Sequence, residues 1–200
     1  MNLPKAIATL LLKLMGWKIQ QDIPEIPKKC VAIGAPHVSW VDILIGVGGA
    51  VILKLKMKFL VKQELYRFPW KGIFKAMGGI PVNRGAARDS EDKKKLMEEI
   101  TTKLGAEEAF VLVISPEGTR KKVTNWKKGF YRIAVACKVP IVLCYMDYVN
   151  KIGGVGKVIY PTGNREKDLK KIMAFYQNVP QKYPERFSID LDYIPDENIQ

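Results

Sequence analysis

The one histidine of the chain, His37, stands five residues ahead of an aspartate in the run His37-Val38-Ser39-Trp40-Val41-Asp42. Imidazole is the side chain that titrates closest to neutral pH, so any chemistry needing such a group must use this residue. Five residues of continuous helix turn the chain by about 500°, or 140° net. The two side chains therefore meet only if His37 lies in a loop and Asp42 in the first turn of the helix that follows. Ser39 suits the N-cap of such a helix, and Pro36 keeps Ala35 extended. In that arrangement a carboxylate on one ring nitrogen fixes the tautomer and makes the other nitrogen a general base for a hydroxyl or an amine. The spacing also has a plainer use. Ser39 and Asp42 stand as in a capping box, and Asp42 would then serve the helix end alone.

Glu117-Gly118-Thr119-Arg120 follows the apolar run 110–115, with Pro116 ending the ladder. Gly118 permits a tight turn, through which the Glu117 and Arg120 side chains can face one space, and guanidinium forks suit phosphate oxygens. The alternative is a surface turn with a weak ion pair. A third run, Gly78-Gly79-Ile80-Pro81-Val82-Asn83-Arg84, is another short strand followed by an arginine. Each of these charged groups follows the carboxyl end of a candidate strand, where open α/β sheets form their ligand crevice. A base with an acidic partner beside two arginines describes an enzyme that deprotonates a neutral nucleophile on a substrate anchored by its phosphate.

The elements that must carry these groups alternate along the chain. Strands are expected at 30–34, 58–61, 79–82, 110–115, 141–146 and 157–160, and helices at 40–53, 70–76, 90–104, 127–138 and 167–178. This is an α/β pattern, a mixed and largely parallel sheet flanked by helices. With 200 residues, 48% of them hydrophobic, and no repeat or linker, one domain is expected. It divides into an amphipathic N-terminal helix at 1–17, a core at 18–163, and a C-terminal helix and tail at 164–200. In the first helix Ile7, Leu10, Leu11, Leu14 and Met15 form an apolar stripe, with Lys5 and Lys13 off it and Trp17 near its end. Such a stripe either packs on the core or lies among lipid headgroups. Pro4 and Lys13 argue against a secretory signal. The longest uncharged apolar run, 43–53, is too short to span a bilayer and reads as a buried helix packed closely through its glycines. Cys30, Cys137 and Cys144 sit in apolar runs without a CxxC spacing, which suits packing in a reducing compartment.

Thirty-three basic against twenty acidic residues give a net charge of +13 and a pI near 9.6, which draws the chain toward polyanions. No RNP-type strand or zinc-finger spacing points to nucleic acid. An anionic membrane or a phosphorylated substrate fits the charge better.

The four blocks HVSWVD, GGIPVNR, SPEGTR and VPIVL resemble, in content and order, the motifs of the glycerolipid acyltransferases, the 1-acyl-sn-glycerol-3-phosphate acyltransferase group with its HxxxxD motif. The resemblance covers roughly residues 17–163. It implies that His37 is the general base, that Asp42 orients it, and that Arg84, Glu117, Gly118, Thr119 and Arg120 shape the acceptor site. It further implies acyl transfer from acyl-CoA or acyl carrier protein as co-substrate, with no metal or other cofactor. The expected acceptor is a lysophospholipid, by default 1-acylglycerol-3-phosphate, with a lyso-aminolipid or a purely lipid-binding role as alternatives. The expected location is peripheral, on the cytoplasmic face of the cytoplasmic membrane, with acyl carrier protein as an optional partner and no nucleic acid. Leu143 replaces a frequent proline of the family, and Asn83 a frequent aspartate. The oxyanion donors stay open, main-chain N–H groups near the start of the Trp40 helix being the candidates.

Overall fold

Short β-branched runs separated by helical stretches build one seven-stranded sheet in the computed structural model, which describes residues 3–83 and 90–194, with the main chain alone at Ser90 and Lys93. The strands are β1 (Lys18–Gln21), β2 (Lys29–Ala35), β3 (Met57–Lys62), β4 (Gly79–Val82), β5 (Phe110–Ile114), β6 (Ile141–Asp147) and β7 (Ile152–Ile159). The helices are α1 (Leu3–Leu14), α2 (Val41–Ile52), α3 (Lys71–Ala76), α4 (Ser90–Gly105), α5 (Gly129–Ala136) and α6 (Arg165–Gln177). The strand order is β1-β7-β6-β2-β5-β3-β4. From β6 to β4 all neighbours are parallel, whereas β7 runs antiparallel to β6 and carries β1 parallel to itself. The sheet is thus mixed and largely parallel, as the sequence pattern indicates. β2 and β5 are adjacent, so their carboxyl ends, at Ala35 and Ile114, open side by side.

Alternation along β2 shows how both faces are covered, as buried parallel strands require. Val31 and Ile33 join one core with Leu104 of α4, Phe130 and Ile133 of α5, and Ile172 and Tyr176 of α6. Cys30 and Ala32 point to the other face, with Val111, Val142 and Val155. Burial pushes the Cys30 and Cys144 thiols up to about 12, as befits packing groups rather than reactive ones. Leu143 is fully buried in the first core, so the apolar residue standing for a family proline fills space there.

Two elements differ from expectation. β1 is a short polar strand, Lys-Ile-Gln-Gln, mostly exposed, and offers no apolar alternation to detect. β7 starts at Ile152 rather than 157, because its first half is glycine-rich. The missing side chains make room for aromatic rings: a Cβ at Gly154 would lie 2.1 Å from Cζ of Tyr145, and one at Gly156 would lie 2.5 Å from Cζ of Phe175.

The run 43–53 is only half buried. On α2, Asp42, Ile45, Gly48, Gly49 and Ala50 face inward while Ile43 and Leu44 are exposed. Gly48 lets Leu12 of α1 approach closely, as Gly49 does for Ile19. α1 docks through Leu12. Of its apolar stripe, Ile7, Leu10, Leu11 and Leu14 are exposed together with Leu3, while Met15 packs beside Leu12 and Trp17.

Candidate active site

The carboxyl ends of β2 and β5 supply the two loops that meet. After β2 the chain passes Pro36 to His37 and enters α2. The helix begins at Val41, with Trp40 already helical and providing no side-chain cap. Ser39 does the capping from one residue earlier. Its Oγ accepts the Val41 N–H at 3.2 Å, and its own N–H donates to Oδ2 of Asp42 at 2.9 Å. The capping box is therefore formed, and it does not exclude the other use of Asp42. The same Oδ2 lies 3.0 Å from Nδ1 of His37 and also accepts the Val38 N–H at 2.8 Å.

Asp42 is thereby immobilised from every side. Oδ1 accepts the hydroxyl of Tyr148, which follows β6. Tyr148 is held in turn by edge-on contacts with Trp17 at 5.0 Å and Tyr183 at 5.6 Å. Asp42 is 3% exposed and His37 19%, so the imidazole alone of this pair reaches the surface. With Nδ1 committed to the carboxylate, Nε2 is the nitrogen available to a substrate proton.

Beneath His37 sits a second buried carboxylate. Glu117, after β5, accepts the His37 main-chain N–H on Oε1 at 3.0 Å. Its Oε2 has no hydrogen-bond partner among the described residues. Burial pushes this carboxyl up to about 7; main-chain N–H groups of Glu117 and His37 oppose the rise, as does the His37 side chain, while nearby Asp42 adds to it. The turn that aims Glu117 inward depends on Gly118, whose φ is +66°. A Cβ there would also come within 2.8 Å of Nζ of Lys127.

Of the expected site residues, His37, Asp42 and Glu117 come together. Thr119 serves the turn, its Oγ1 accepting the Lys121 N–H at 3.3 Å. Arg120 points elsewhere than Glu117 and stacks over the Trp40 ring, with Cζ 3.5 Å from its centroid. The acid and the arginine expected to face one space therefore have different partners, the buried Glu117 the His37 main chain and Arg120 the Trp40 ring. Arg84 lies outside the described residues. β4, which leads to it, is the sheet edge, three strand spacings or roughly 14 Å from β2 on the same rim. The N–H groups of His37, Val38, Ser39 and Val41 all donate within the protein, so these candidates for an oxyanion site are already occupied.

Residues 18–147 match the family model described as Acyltransferase. The chain belongs to the acyltransferase family, and the glycerolipid acyltransferase resemblance of its four blocks holds. The acyltransferase fold is also that of the 1-acyl-sn-glycerophosphate (LPA) acyltransferase PlsC from Thermotoga maritima. The two share 18% sequence identity, with a TM-score of 0.60 over 86% of this chain and 74% of that one. No curated protein matches the sequence significantly. Among the described residues no helix of this acyltransferase is long and apolar enough to cross a membrane.

Tyr148 escaped sequence reasoning. It lies 106 residues from Asp42 and beyond the VPIVL block at 139–143. The signal that found the other groups, a polar side chain just past the carboxyl end of a strand, marks Asp147-Tyr148 as well.

Proposed function

We propose that this acyltransferase moves a fatty acyl group from acyl-CoA or acyl carrier protein to the hydroxyl of a lysophospholipid, 1-acylglycerol-3-phosphate first among acceptors, giving phosphatidic acid. The observation that carries the proposal is the His37 Nδ1 to Asp42 Oδ2 contact of 3.0 Å, buried on its aspartate side and open on its histidine side, at the carboxyl rim of an acyltransferase domain.

Nε2 of His37 takes the proton of the acceptor hydroxyl as its oxygen attacks the thioester carbonyl. A C–O bond forms, the carbonyl π pair moves to the oxygen, and a tetrahedral oxyanion results. Its collapse breaks the C–S bond, and the thiolate takes the proton from His37. Asp42 holds the ring in the working tautomer, and a base so placed contributes about 10² to 10⁴ in rate. Glu117 acts from below by holding the main chain of His37. Arg120, oriented by Trp40, and Arg84 bind the acceptor phosphate, with Gly118 and Thr119 shaping the turn. The chemistry needs no metal or cofactor beyond the thioester co-substrate.

The exposed stripe of α1 supports peripheral attachment to the cytoplasmic leaflet, because Leu3, Ile7, Leu10, Leu11 and Leu14 are each half or more exposed, and the net charge is +13. Each basic group near an anionic leaflet contributes about 1 kcal/mol. The same stripe would serve a non-catalytic lipid-binding protein, and one experiment separates the two. Thiol release is followed from long-chain acyl-CoA and acyl carrier protein with a panel of lysolipids, using the intact protein and His37→Ala. Release that requires lysophosphatidic acid and vanishes in the variant supports the proposal. Release with lyso-aminolipids alone changes the acceptor, and silence with every pair, from folded protein that binds vesicles, leaves the lipid binder.

A further inference from the structure

The connection from the end of β3 to β4, residues 62–76, presents large apolar side chains that the described protein leaves half or more exposed. Phe68 is 95% exposed, Trp70 58%, Leu65 55% and Ile73 51%. α3, which ends this connection, buries no residue at all. Folding cannot account for these side chains, since none contributes burial to the core. Nor is the segment a loose loop. Leu65 N–H donates to Lys62 O at 3.0 Å, Tyr66 N–H to Gln63 O at 3.1 Å, Lys71 N–H to Arg67 O at 2.8 Å and Phe74 N–H to Trp70 O at 3.0 Å. The backbone is thus tied into consecutive turns that hold Phe68 and Trp70 outward.

Charge says what such a knob meets. Exposed Lys62, Arg67, Lys71 and Lys75 surround the apolar residues, and Glu64 is the one acid within 62–76. Aromatic and aliphatic groups ringed by Lys and Arg are the composition of headgroup-level anchors on anionic membranes. Shape favours a bilayer over a folded partner. A side chain as exposed as Phe68 protrudes; a lipid layer yields around a protrusion, whereas a protein would need a pocket made for it.

Place in the fold gives the knob a use. β3 adjoins β5, so the connection leaves the sheet on the rim that carries Glu117 and His37. The exposed Trp40, Ile43 and Leu44 at the start of α2 lie on this rim too. We propose that residues 62–76 form a membrane-inserting knob, separate from α1, that seats the catalytic rim on an anionic lipid bilayer. A lipid acceptor then reaches His37 without leaving the interface. The proposal deepens the lipid-acceptor reading and rests on it for its effect on turnover, while vesicle binding is read independently.

The test uses the intact protein and the double variant Phe68→Ser/Trp70→Ser. Binding is measured by co-sedimentation with vesicles of phosphatidylglycerol in phosphatidylcholine and of phosphatidylcholine alone. The expected result is at least a tenfold loss of affinity for the anionic vesicles, with unchanged thermal melting and unchanged thiol release on a short-chain, monomeric lysophosphatidic acid. Brominated lipids should quench the fluorescence of the intact protein more than that of Trp70→Phe, and Lys71→Gln/Lys75→Gln should reduce the salt-sensitive share of binding. Unchanged vesicle binding by the double variant overturns the proposal. So does a loss confined to acyl carrier protein binding or to self-association, which would assign the knob to a protein partner. If no protein turns over any acceptor, the acyl-transfer reading fails while the vesicle comparison still decides the role of the knob.

Discussion

Tyr131 of α5 donates its hydroxyl to Asp168 of α6 at 2.9 Å, and Tyr148 after β6 donates its own to Asp42 of α2. Both aspartates are buried in the first turn of a helix, and both also accept main-chain N–H groups. Asp168 adds the Thr162 hydroxyl at 3.0 Å, which completes a set of partners that belong wholly to the fold. Asp42 adds an imidazole whose far edge meets solvent. The difference lies in the last partner. A buried carboxylate closed by hydroxyls and amides fastens two helices, whereas one closed by a partly exposed, titratable ring passes its orientation to whatever the ring touches.

The contrast breaks first at the ring itself. His37→Ala should lower thioester consumption by about 10² to 10⁴ with only a small fall in melting, because Asp42 keeps the Val38 and Ser39 N–H groups and the Tyr148 hydroxyl. Matching aspartate variants sharpen the point. Asp42→Asn should cost up to about 10⁴ in turnover by releasing the tautomer. Asp168→Asn should instead lower stability by about 1–3 kcal/mol, with turnover per folded molecule kept. Denaturant titration beside a thiol-release assay reads both, and equal effects on turnover would erase the distinction. Tyr148→Phe against Tyr131→Phe repeats the comparison with a single oxygen removed. A roughly tenfold fall in kcat, equivalent to about 1.4 kcal/mol of barrier, is expected at Tyr148 only, with KM unchanged.

Glu117 extends the comparison to pH. The folded protein holds this carboxyl at about 7, against an ordinary value of 4.5, mainly through burial. As pH rises, the unfolded chain ionises first, so the folded state loses relative stability. The contribution is fully present below about pH 4.5 and is lost across the window up to about 7, by roughly 3 kcal/mol in all. Glu117→Gln should flatten that decline in urea titrations at intervals between pH 4.5 and 7.5, whereas Asp168→Asn should leave it in place. A decline that survives in Glu117→Gln would assign it to another group.

The alternation of strand and helix was legible because β-branched runs bounded by Pro and Gly report strand ends directly, as at Pro36 and Pro116. His37 and Asp42 were legible as a pair because five residues of chain and one cap determine their meeting. Tyr148 was not, since its approach to Asp42 is set by the adjacency of β2 and β6 rather than by spacing. Glu117 was found but not its direction; a turn around Gly118 brings the chain to the rim without saying which side chain goes under it. The stripe of α1 shows the same limit. Periodicity gives the apolar face of a helix but not the medium it meets, and here the protein contact falls to Leu12, off the stripe, with Met15 at the stripe's end.

The smallest effect concerns the part of the rim outside the buried cluster. Arg120 is steered by the Trp40 face at 3.5 Å, and an exposed contact of this kind is worth about 0.5–1 kcal/mol. Because neither side chain bonds to His37 or Asp42, losing the pair should weaken acceptor binding rather than slow the chemical step. Trp40→Ala is expected to raise KM for a phosphate-bearing acceptor about 2–5-fold, the equivalent of that energy, with kcat retained. Arg120→Lys should behave similarly, since an ammonium neither stacks on indole as a plane nor forks onto phosphate. An acceptor lacking the phosphate should not respond to either change. A fall in kcat with KM constant would instead move Trp40 and Arg120 into the machinery that orients His37, and the line between the buried cluster and the outer rim would have to be redrawn around them.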